Sequence, residues 1–327
     1  MGLPVEERIL MGLFLCSNES NEMLEILRPD WNEKTRLIIE EKCSMLNVQF
    51  STFNVFPWKD ELSVGIEYER FCKSFFVQPD LFLRIRPGHS GSVLLKLNRT
   101  GVEYEFISPF TLRLSNSFKA DQHFEMDKEV VVQDYSSQSI AHFLPANHGK
   151  KMNVWDCCAA SGGKSIMAYD LNPEIELTIS DVRESILFNL KKRFGKAGIK
   201  KYKTFIADLT SQFPIPNTQF QIIICDAPCT GSGTWSRTPE QLYYFDKNEI
   251  DRYASLQKQI VSNTIPYLQP GGYFLYITCS VFKKENEDVV EFIIKKEFGF
   301  ELIKMEVLRG YDKKADTMFA ALFRKPA

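Results

Sequence analysis

Residues 222–233 read IIICDAPCTGSG, and this stretch decides the fold of the chain. Its four apolar residues end at Cys225 and predict a strand that is buried on both faces. Asp226, Pro228 and Cys229 follow the strand, and a loop with two glycines comes next. In an open parallel sheet, ligands bind beyond the carboxyl ends of the strands. The sequence therefore predicts that an acid and a thiol lie at a binding or reaction site.

A second predicted strand, residues 273–278, ends in the same way at Cys279 and Ser280. Strands and helices alternate along the chain after residue 129. The predicted strands are residues 152–157, 175–180, 204–207, 222–225 and 273–278, with others near Leu302 and Phe319, and the predicted helices are residues 163–170, 185–194, 285–297 and a long one within 247–268. This alternation is typical of a doubly wound, Rossmann-like α/β sheet.

The chain before residue 129 has a different pattern. Apolar residues spaced three or four apart predict helices within residues 1–60. Residues 61–128 combine a helix at 68–76 with strand-like segments at 81–85 and near Tyr104 and Thr111. We therefore expect a helical region (1–60), a small α+β module (61–128) and the doubly wound domain (129–327).

Composition narrows the class of protein. The 327 residues are 44% hydrophobic, which is enough for a substantial core. The net charge of -2 creates no general basic field, so a nucleic acid would have to be bound by a local patch. No apolar run is long enough to span a bilayer, and the first residues are acidic where a signal peptide would be basic. We expect a cytoplasmic protein with no membrane contact.

The eight cysteines form no CxxC pair and lie far from the four histidines in the sequence. This spacing indicates neither a structural metal site nor a disulfide framework, so no metal is expected. Cys157 and Cys225 lie within apolar strands and are expected to pack in the core. Cys229 and Cys279 stand at strand ends, which favours a chemical role.

Residues 156–165, DCCAASGGKS, contain the sequence GGKS, which suggests a nucleotide-triphosphate loop. That motif requires a glycine five positions before Gly163, and Cys158 stands there. A small-residue turn before a helix remains, where the backbone can approach a ligand closely. Asp181 and Asp208 end the next two strands, where a carboxylate can bind a ribose diol. Together they indicate an adenosine-containing ligand, although helix capping would explain either aspartate alone.

On these motifs the chain resembles the Sun/Fmu (RsmB-type) family of S-adenosylmethionine-dependent RNA cytosine-5 methyltransferases. The resemblance also covers VVQDYSSQ (131–138), LQPGGYFLYITCS (268–280) and ENE (285–287). Ser161 stands where the family usually has proline. The strand at 81–87 keeps the family's arginine as Arg84, with Arg86 where asparagine is usual.

The resemblance implies a mechanism and a set of site residues. Cys279 would add to carbon 6 of a cytosine, Asp226 and Lys164 would contact the base, and Cys229 would assist release. The implied S-adenosylmethionine site consists of Cys158, Ala159, Ala160, Ser161, Gly162, Gly163, Lys164, Asp181, Asp208 and Asp226. The expected RNA contacts are Arg84, Arg86 and Arg237. The partner would be ribosomal or transfer RNA, residues 61–128 would face the substrate, and we expect a monomer.

Two alternatives remain open at this point. In a DNA cytosine-5 methyltransferase the nucleophile is the cysteine of a Pro-Cys pair, which would be Cys229 and would leave Cys279 without a role. A catalytically inactive RNA-binding scaffold would need neither thiol. The basic stretch 191–203 is either a solvated helix face or an RNA contact.

Overall fold

A computed structural model describes residues 4–49, 53–145, 149, 151–211, 213, 218–295 and 299–327. The described residues contain a seven-stranded and a four-stranded sheet. The strands are β1 (Leu81–Ile85), β2 (Tyr104–Ser108), β3 (Thr111–Leu114), β4 (Val130–Val132), β5 (Met152–Asp156), β6 (Ile175–Asp181), β7 (Tyr202–Ile206), β8 (Phe220–Asp226), β9 (Leu268–Thr278), β10 (Glu301–Leu308) and β11 (Met318–Arg324).

The described residues contain helices both before and within the segment that forms the large sheet. They are α1 (Val5–Cys16), α2 (Glu22–Leu27), α3 (Pro29–Asn32), α4 (Ile39–Met45), α5 (Tyr68–Ser74), α6 (Ser90–Thr100), α7 (Tyr135–Ser139), α8 (Gly163–Leu171), α9 (Glu184–Ala197), α10 (Gln241–Tyr244), α11 (Asn248–Thr264) and α12 (Glu287–Lys295). Among the described residues, no helix combines the length and apolar character needed to cross a membrane.

The large sheet has the order β10-β11-β9-β8-β5-β6-β7. Strands β9, β8, β5, β6 and β7 are parallel, and β11 joins β9 and β10 antiparallel. Strands β5 and β8 are neighbours. From β5 the chain continues through β6 and β7 toward one edge of the sheet, and from β8 it continues through β9 toward the other. This is the topological switch point at which doubly wound sheets bind their ligands.

The centre of the large sheet is apolar on both faces. Along β5, Val154 belongs to the cluster on one face and Trp155 to the cluster on the other. Ile222 and Ile223 divide in the same way on β8. Since side chains alternate between the faces of a strand, an unbroken apolar run is what a strand covered by helices on both sides requires.

Strand β9 begins five residues before the predicted start at 273, at Leu268. The prediction failed because the sequence Pro270-Gly271-Gly272 favours a turn. Here the strand continues through these residues, and a Cβ at Gly272 would lie 3.0 Å from the carbonyl oxygen of Gln221. Glycine therefore permits a close approach between β8 and β9.

The small sheet is antiparallel, in the order β2-β3-β1-β4. Its edge strand, β4, lies beyond residue 128, so the sheet draws a strand from the segment assigned to the large domain. The domain boundaries stay a prediction. A separate aromatic cluster packs Phe56 against Trp235 and Phe282, with centroids 6.0 and 5.7 Å away. It connects the N-terminal region to the loops that follow β8 and β9.

Candidate active site

The loops after β8 and β9 bring two thiols together. These strands are parallel neighbours, with Asp226 opposite Ile277, so their carboxyl ends meet at one edge of the sheet. Cys229 and Cys279 follow these ends, and their Sγ atoms lie 3.2 Å apart in hydrogen-bonding contact. Both side chains are half-buried. The structure thus joins the two cysteines that the sequence placed at separate strand ends.

The surroundings of Cys229 disfavour its ionised form. The pKa of Cys229 is raised well above its usual range, first by its hydrogen bond with Cys279 and then by burial. The charges of Cys279 and Glu285 add to the effect. Cys229 is therefore a protonated thiol that can donate a hydrogen bond to the sulfur of Cys279.

A second pair lies beside the thiols. The ammonium group of Lys164, in the first turn of α8, donates to the Asp226 carboxylate at 2.5 Å. Burial acts to lower the pKa of Lys164, but Asp226 outweighs it, and Asp156 and Cys279 add to the net rise. Lys164 is therefore a fixed cation, and Asp226 stays partly exposed at the cleft.

The glycine turn between β5 and α8 approaches the cleft with its backbone. Ala160 has φ 45° and Gly162 φ 80°, both in the left-handed region. A Cβ at Gly162 would lie 3.0 Å from atoms of Leu190 and Phe194 on α9, so glycine is needed there for packing as well as for conformation. The Ala160 N–H donates to Oδ2 of Asp181 at 3.0 Å. The turn and the end of β6 are thereby held together.

A cleft of about 670 Å³ runs along this edge of the sheet. Of the predicted residues, it is lined by Cys158, Ala160, Asp181, Asp208, Asp226, Cys229 and Cys279. Ala159, Ser161, Gly162, Gly163 and Lys164 belong to the same turn and helix start but are not among its lining residues. The volume is that of a small-molecule site.

The carboxylates at the cleft fit a ligand with ribose hydroxyls. Asp181 is buried and accepts from the backbone N–H groups of Ala160 and Arg183, which fix its orientation. Asp208 is exposed, and its hydrogen bonds with Thr210 lower its pKa, so it is ionised near neutrality. An acceptor at the end of β6 and close backbone at the glycine turn suit the nucleoside part of S-adenosylmethionine.

Arg84 and Arg86 are largely buried, and their contact with RNA stays a prediction. Both are only 8% exposed, and both bind the carboxylate of Asp170, at 2.6 and 2.7 Å. Arg86 also donates to the carbonyl oxygens of Asp127 and Ala197. These contacts join β1 of the small sheet to helices α8 and α9, while one terminal guanidinium nitrogen of Arg84 has no hydrogen-bond partner among the described residues.

Arg237 lies nearer to solvent. Its side chain is 35% exposed and pairs with Asp134 at 2.9 Å and Asp316 at 2.8 Å. These ion pairs occupy part of the guanidinium group, and its contact with RNA stays a prediction.

The sequence analysis did not predict two features of the carboxyl edge of the large sheet. Burial raises the pKa of Asp156, at the end of β5, to about 7, and its Oδ1 has no hydrogen-bond partner among the described residues. The sulfur atoms of Cys157, Cys158 and Cys225 lie within 4.8 Å of one another. The pairing of Asp156 with Ile224 places Cys157 near Cys225, a contact that no cysteine spacing indicates. The expectation of no metal stays a prediction.

Comparison with known proteins places this arrangement in a family. Residues 141–323, more than half of the chain, match the family model described as 16S rRNA methyltransferase RsmB/F. The ribosomal RNA small subunit methyltransferase B of Salmonella paratyphi A is 31% identical over 170 residues, which make up 51% of this chain and 38% of that protein. The chain thus matches about two fifths of the length of these curated relatives.

Solved structures show the same fold. The crystal structure of PH0851 covers 93% of this chain and 75% of its own, with a TM-score of 0.74 and 21% identity. That of NSun6 from Pyrococcus horikoshii with SFG covers 81% of this chain and 96% of its own, with a TM-score of 0.68 and 16% identity. The predicted Rossmann-like α/β fold is confirmed.

Proposed function

We propose, because this chain belongs to the 16S rRNA methyltransferase RsmB/F family, that it transfers a methyl group from S-adenosylmethionine to carbon 5 of a cytosine in RNA. The observation that carries the proposal is the contact of Cys229 with Cys279, 3.2 Å apart beside Asp226 and Lys164. One thiol that attacks and one that assists release would need this proximity. The names of the family and its relatives favour ribosomal over transfer RNA as the substrate.

S-adenosylmethionine would supply an electrophilic methyl group in the cleft. Asp181 would accept hydrogen bonds from the ribose hydroxyls, and the turn at residues 158–163 would lie against the nucleoside. Asp208 adds a second, exposed carboxylate, and Asp226 would lie toward the reacting end. The target base must be unstacked, or already single-stranded, to reach the thiols.

Carbon 5 of cytosine is a weak nucleophile, and covalent addition changes this. The Cys279 thiolate forms a bond to carbon 6, and the electron pair of the 5,6 double bond is displaced into the ring, which makes carbon 5 nucleophilic. Asp226 and Lys164 would bind the N3 and exocyclic amine edge and stabilise the developing charge. Carbon 5 would then accept the methyl group as the methyl–sulfur bond of S-adenosylmethionine breaks, leaving S-adenosylhomocysteine.

Release requires removal of the carbon-5 proton, after which the double bond re-forms and the Cys279 sulfur leaves. The contact with Cys279 is the largest cause of the raised pKa of Cys229. Once the Cys279 sulfur is bonded to carbon 6 it has no S–H group and is a weaker hydrogen-bond acceptor, so this contribution to the raised pKa of Cys229 is reduced. Cys229 then ionises more readily and can take the proton, directly or through water.

The test compares two single substitutions. Cys279→Ala cannot form the carbon-6 bond, so it should neither methylate RNA nor form an adduct. Cys229→Ala keeps the nucleophile, so it should accumulate a covalent protein–RNA species that survives a denaturing gel. The substrate is total RNA from a strain that lacks the gene, and bisulfite sequencing locates the modified cytosine. Cys16→Ala, at an exposed cysteine in the N-terminal region, is the control and should behave as wild type.

Each alternative predicts a different pattern. If Cys229 is the nucleophile, as in DNA cytosine-5 methyltransferases, Cys229→Ala should form no adduct and Cys279→Ala should accumulate one. If the protein is a scaffold, the wild type methylates nothing and neither variant forms an adduct. A stable adduct with Cys279→Ala would overturn the assignment of the nucleophile.

A further inference from the structure

A buried carboxylate lies behind the two thiols. Glu285 ends a short 3-10 helix, Lys283–Glu285, and has no solvent exposure. It accepts from the Thr230 N–H at 2.9 Å and the Thr230 hydroxyl at 2.6 Å. It also accepts from the Ser280 hydroxyl at 2.6 Å and the Gln257 amide at 3.1 Å. One side chain thus joins the loop after β8, the loop after β9 and helix α11.

The two loop residues that Glu285 binds are the immediate neighbours of the thiols. Thr230 follows Cys229, and Ser280 follows Cys279. A shift of either loop relative to the other changes the separation of the sulfurs, because each cysteine is one peptide unit from the carboxylate's partner. Glu285 is therefore placed to set that separation without touching a sulfur or a substrate.

The segment that carries Glu285 is itself attached to β9. The Tyr276 hydroxyl donates to the carbonyl oxygen of Glu285 at 2.6 Å. The next residue, Asn286, accepts from the Thr278 hydroxyl at 2.5 Å and donates to the Ser280 carbonyl oxygen at 2.9 Å. Both neighbours of Cys279 in the chain are thereby held by the same segment.

Burying the Glu285 carboxylate away from water carries a desolvation penalty. Among the described residues no lysine or arginine forms an ion pair with Glu285, and all four of its hydrogen bonds come from neutral groups. Burial raises the pKa of Glu285, while these hydrogen bonds act to lower it. Apolar side chains could join the same loops with a smaller desolvation penalty. Hydrogen bonds to a carboxylate are directional, however, so Glu285 holds the two loops in a defined geometry.

We propose that Glu285 is a positioning residue that fixes Cys229 against Cys279 and so sets the rate at which the covalent RNA adduct is released. The role in release rests on the proposed function, whereas the role in holding the thiols does not. Glu287, on the same segment, is a matched control. Its carboxylate binds the Ser63 hydroxyl and the Val64 N–H in the N-terminal region, each at 2.9 Å.

The first experiment needs no RNA. Hydrogen peroxide converts the two thiols to a disulfide with release of two water molecules, at a rate that depends on their proximity. Mass spectrometry of the linked peptides follows the Cys229–Cys279 bond in wild type, Glu285→Gln and Glu287→Gln. Glutamine presents an amide N–H₂ to donors, so Glu285→Gln should slow the reaction about tenfold or more. Glu287→Gln should react as wild type does.

The second experiment uses the substrate RNA. Glu285→Gln should lower kcat and accumulate the adduct seen with Cys229→Ala, while calorimetry shows S-adenosylmethionine affinity unchanged. If Glu285→Gln does not fold, Thr230→Val and Thr230→Ser replace it. Both keep the backbone, but only serine retains the hydroxyl that donates to Glu285, so valine should slow both reactions and serine should restore them.

The outcomes separate the two proposals. If wild type forms the disulfide readily and Glu285→Gln does not, but no cytosine is methylated, the positioning role stands and the proposed function fails. If wild type methylates cytosine and Glu285→Gln matches Glu287→Gln in both experiments, the positioning role is overturned.

Discussion

The carboxyl edge of the large sheet and the interface between the two sheets both bury charged groups, but they arise from the sequence in different ways. At the edge, each candidate site residue lies at or just beyond the end of a strand, and the parallel strand order brings Asp181, Asp226 and Cys279 to the same edge. At the interface, Arg84 and Arg86 of β1 meet Asp170 of α8 because the small sheet packs against a helix of the large one. A site built on topology can be recognised from sequence, and a contact built on packing cannot.

The largest effect is expected at the interface. Asp170→Asn removes the anion that Arg84 and Arg86 share and leaves two buried guanidinium groups without it. Loss of one partner of a buried ion pair costs about 3–5 kcal/mol, so unfolding in urea should require much less denaturant. Glu249→Gln breaks the exposed pair with Arg252 and should leave the curve unchanged. Equal curves for both variants would show that the interface does not depend on these charges.

A smaller effect, dependent on pH, is expected at the end of β5. Burial raises the pKa of Asp156 from 3.8 to about 7, so the folded protein binds this proton more tightly than the unfolded chain does. The stabilisation is fully present below about pH 4 and is lost as pH rises through 7, on the order of 1 kcal/mol per pH unit. Asp156→Asn cannot ionise, so urea unfolding at pH 5 and pH 8 should differ less than in wild type. An identical pH dependence in both proteins would contradict the raised pKa.

The smallest effect tests the cofactor site. If Asp181 binds the ribose hydroxyls, Asp181→Ala should weaken S-adenosylmethionine binding by about 1.5–3 kcal/mol, as the loss of a hydrogen bond to a charged group does. Isothermal calorimetry on folded protein measures it. Asp208→Ala, at an exposed carboxylate, should cost less because water competes for the same hydrogen bonds. A larger loss of affinity in Asp208→Ala than in Asp181→Ala would indicate that the ribose binds at Asp208 and not at the end of β6.

Much of the edge was predictable because its determinants are local. An apolar run followed by Asp226 or Cys279 predicts both a buried strand and the position of its carboxyl end. Because the strands are parallel, these ends meet at one edge of the sheet. The thiol pair and the cleft residues follow from this. Membership of the RsmB/F family confirms the resemblance that the motifs indicated.

The remaining features depend on contacts between distant segments. Nothing near Arg84 in the sequence shows that its partner will be Asp170, so the sequence alone does not predict that this arginine is largely buried in an ion pair. In the same way, β4 joins the small sheet through pairing of Leu83 with Val132, across a predicted domain boundary. In the sequence, Glu285 is noted only as part of the ENE motif. Its contacts join the loops after β8 and β9, which are distant in sequence and meet only in the folded protein.

The antiparallel strand β11 comes late in the chain but supports the strand that ends at the thiols. It pairs with β9 from Phe319 opposite Thr278 to Arg324 opposite Tyr273, and just before it the Thr317 N–H donates to the Gly233 carbonyl oxygen at 2.9 Å. Until the ribosome has made these residues, β9 is an open sheet edge and the loop that carries Cys229 lacks one of its supports. The nascent chain thus contains both thiols before it contains the strand that supports them, so we expect Cys229 and Cys279 to be held in place only once β11 has paired with β9.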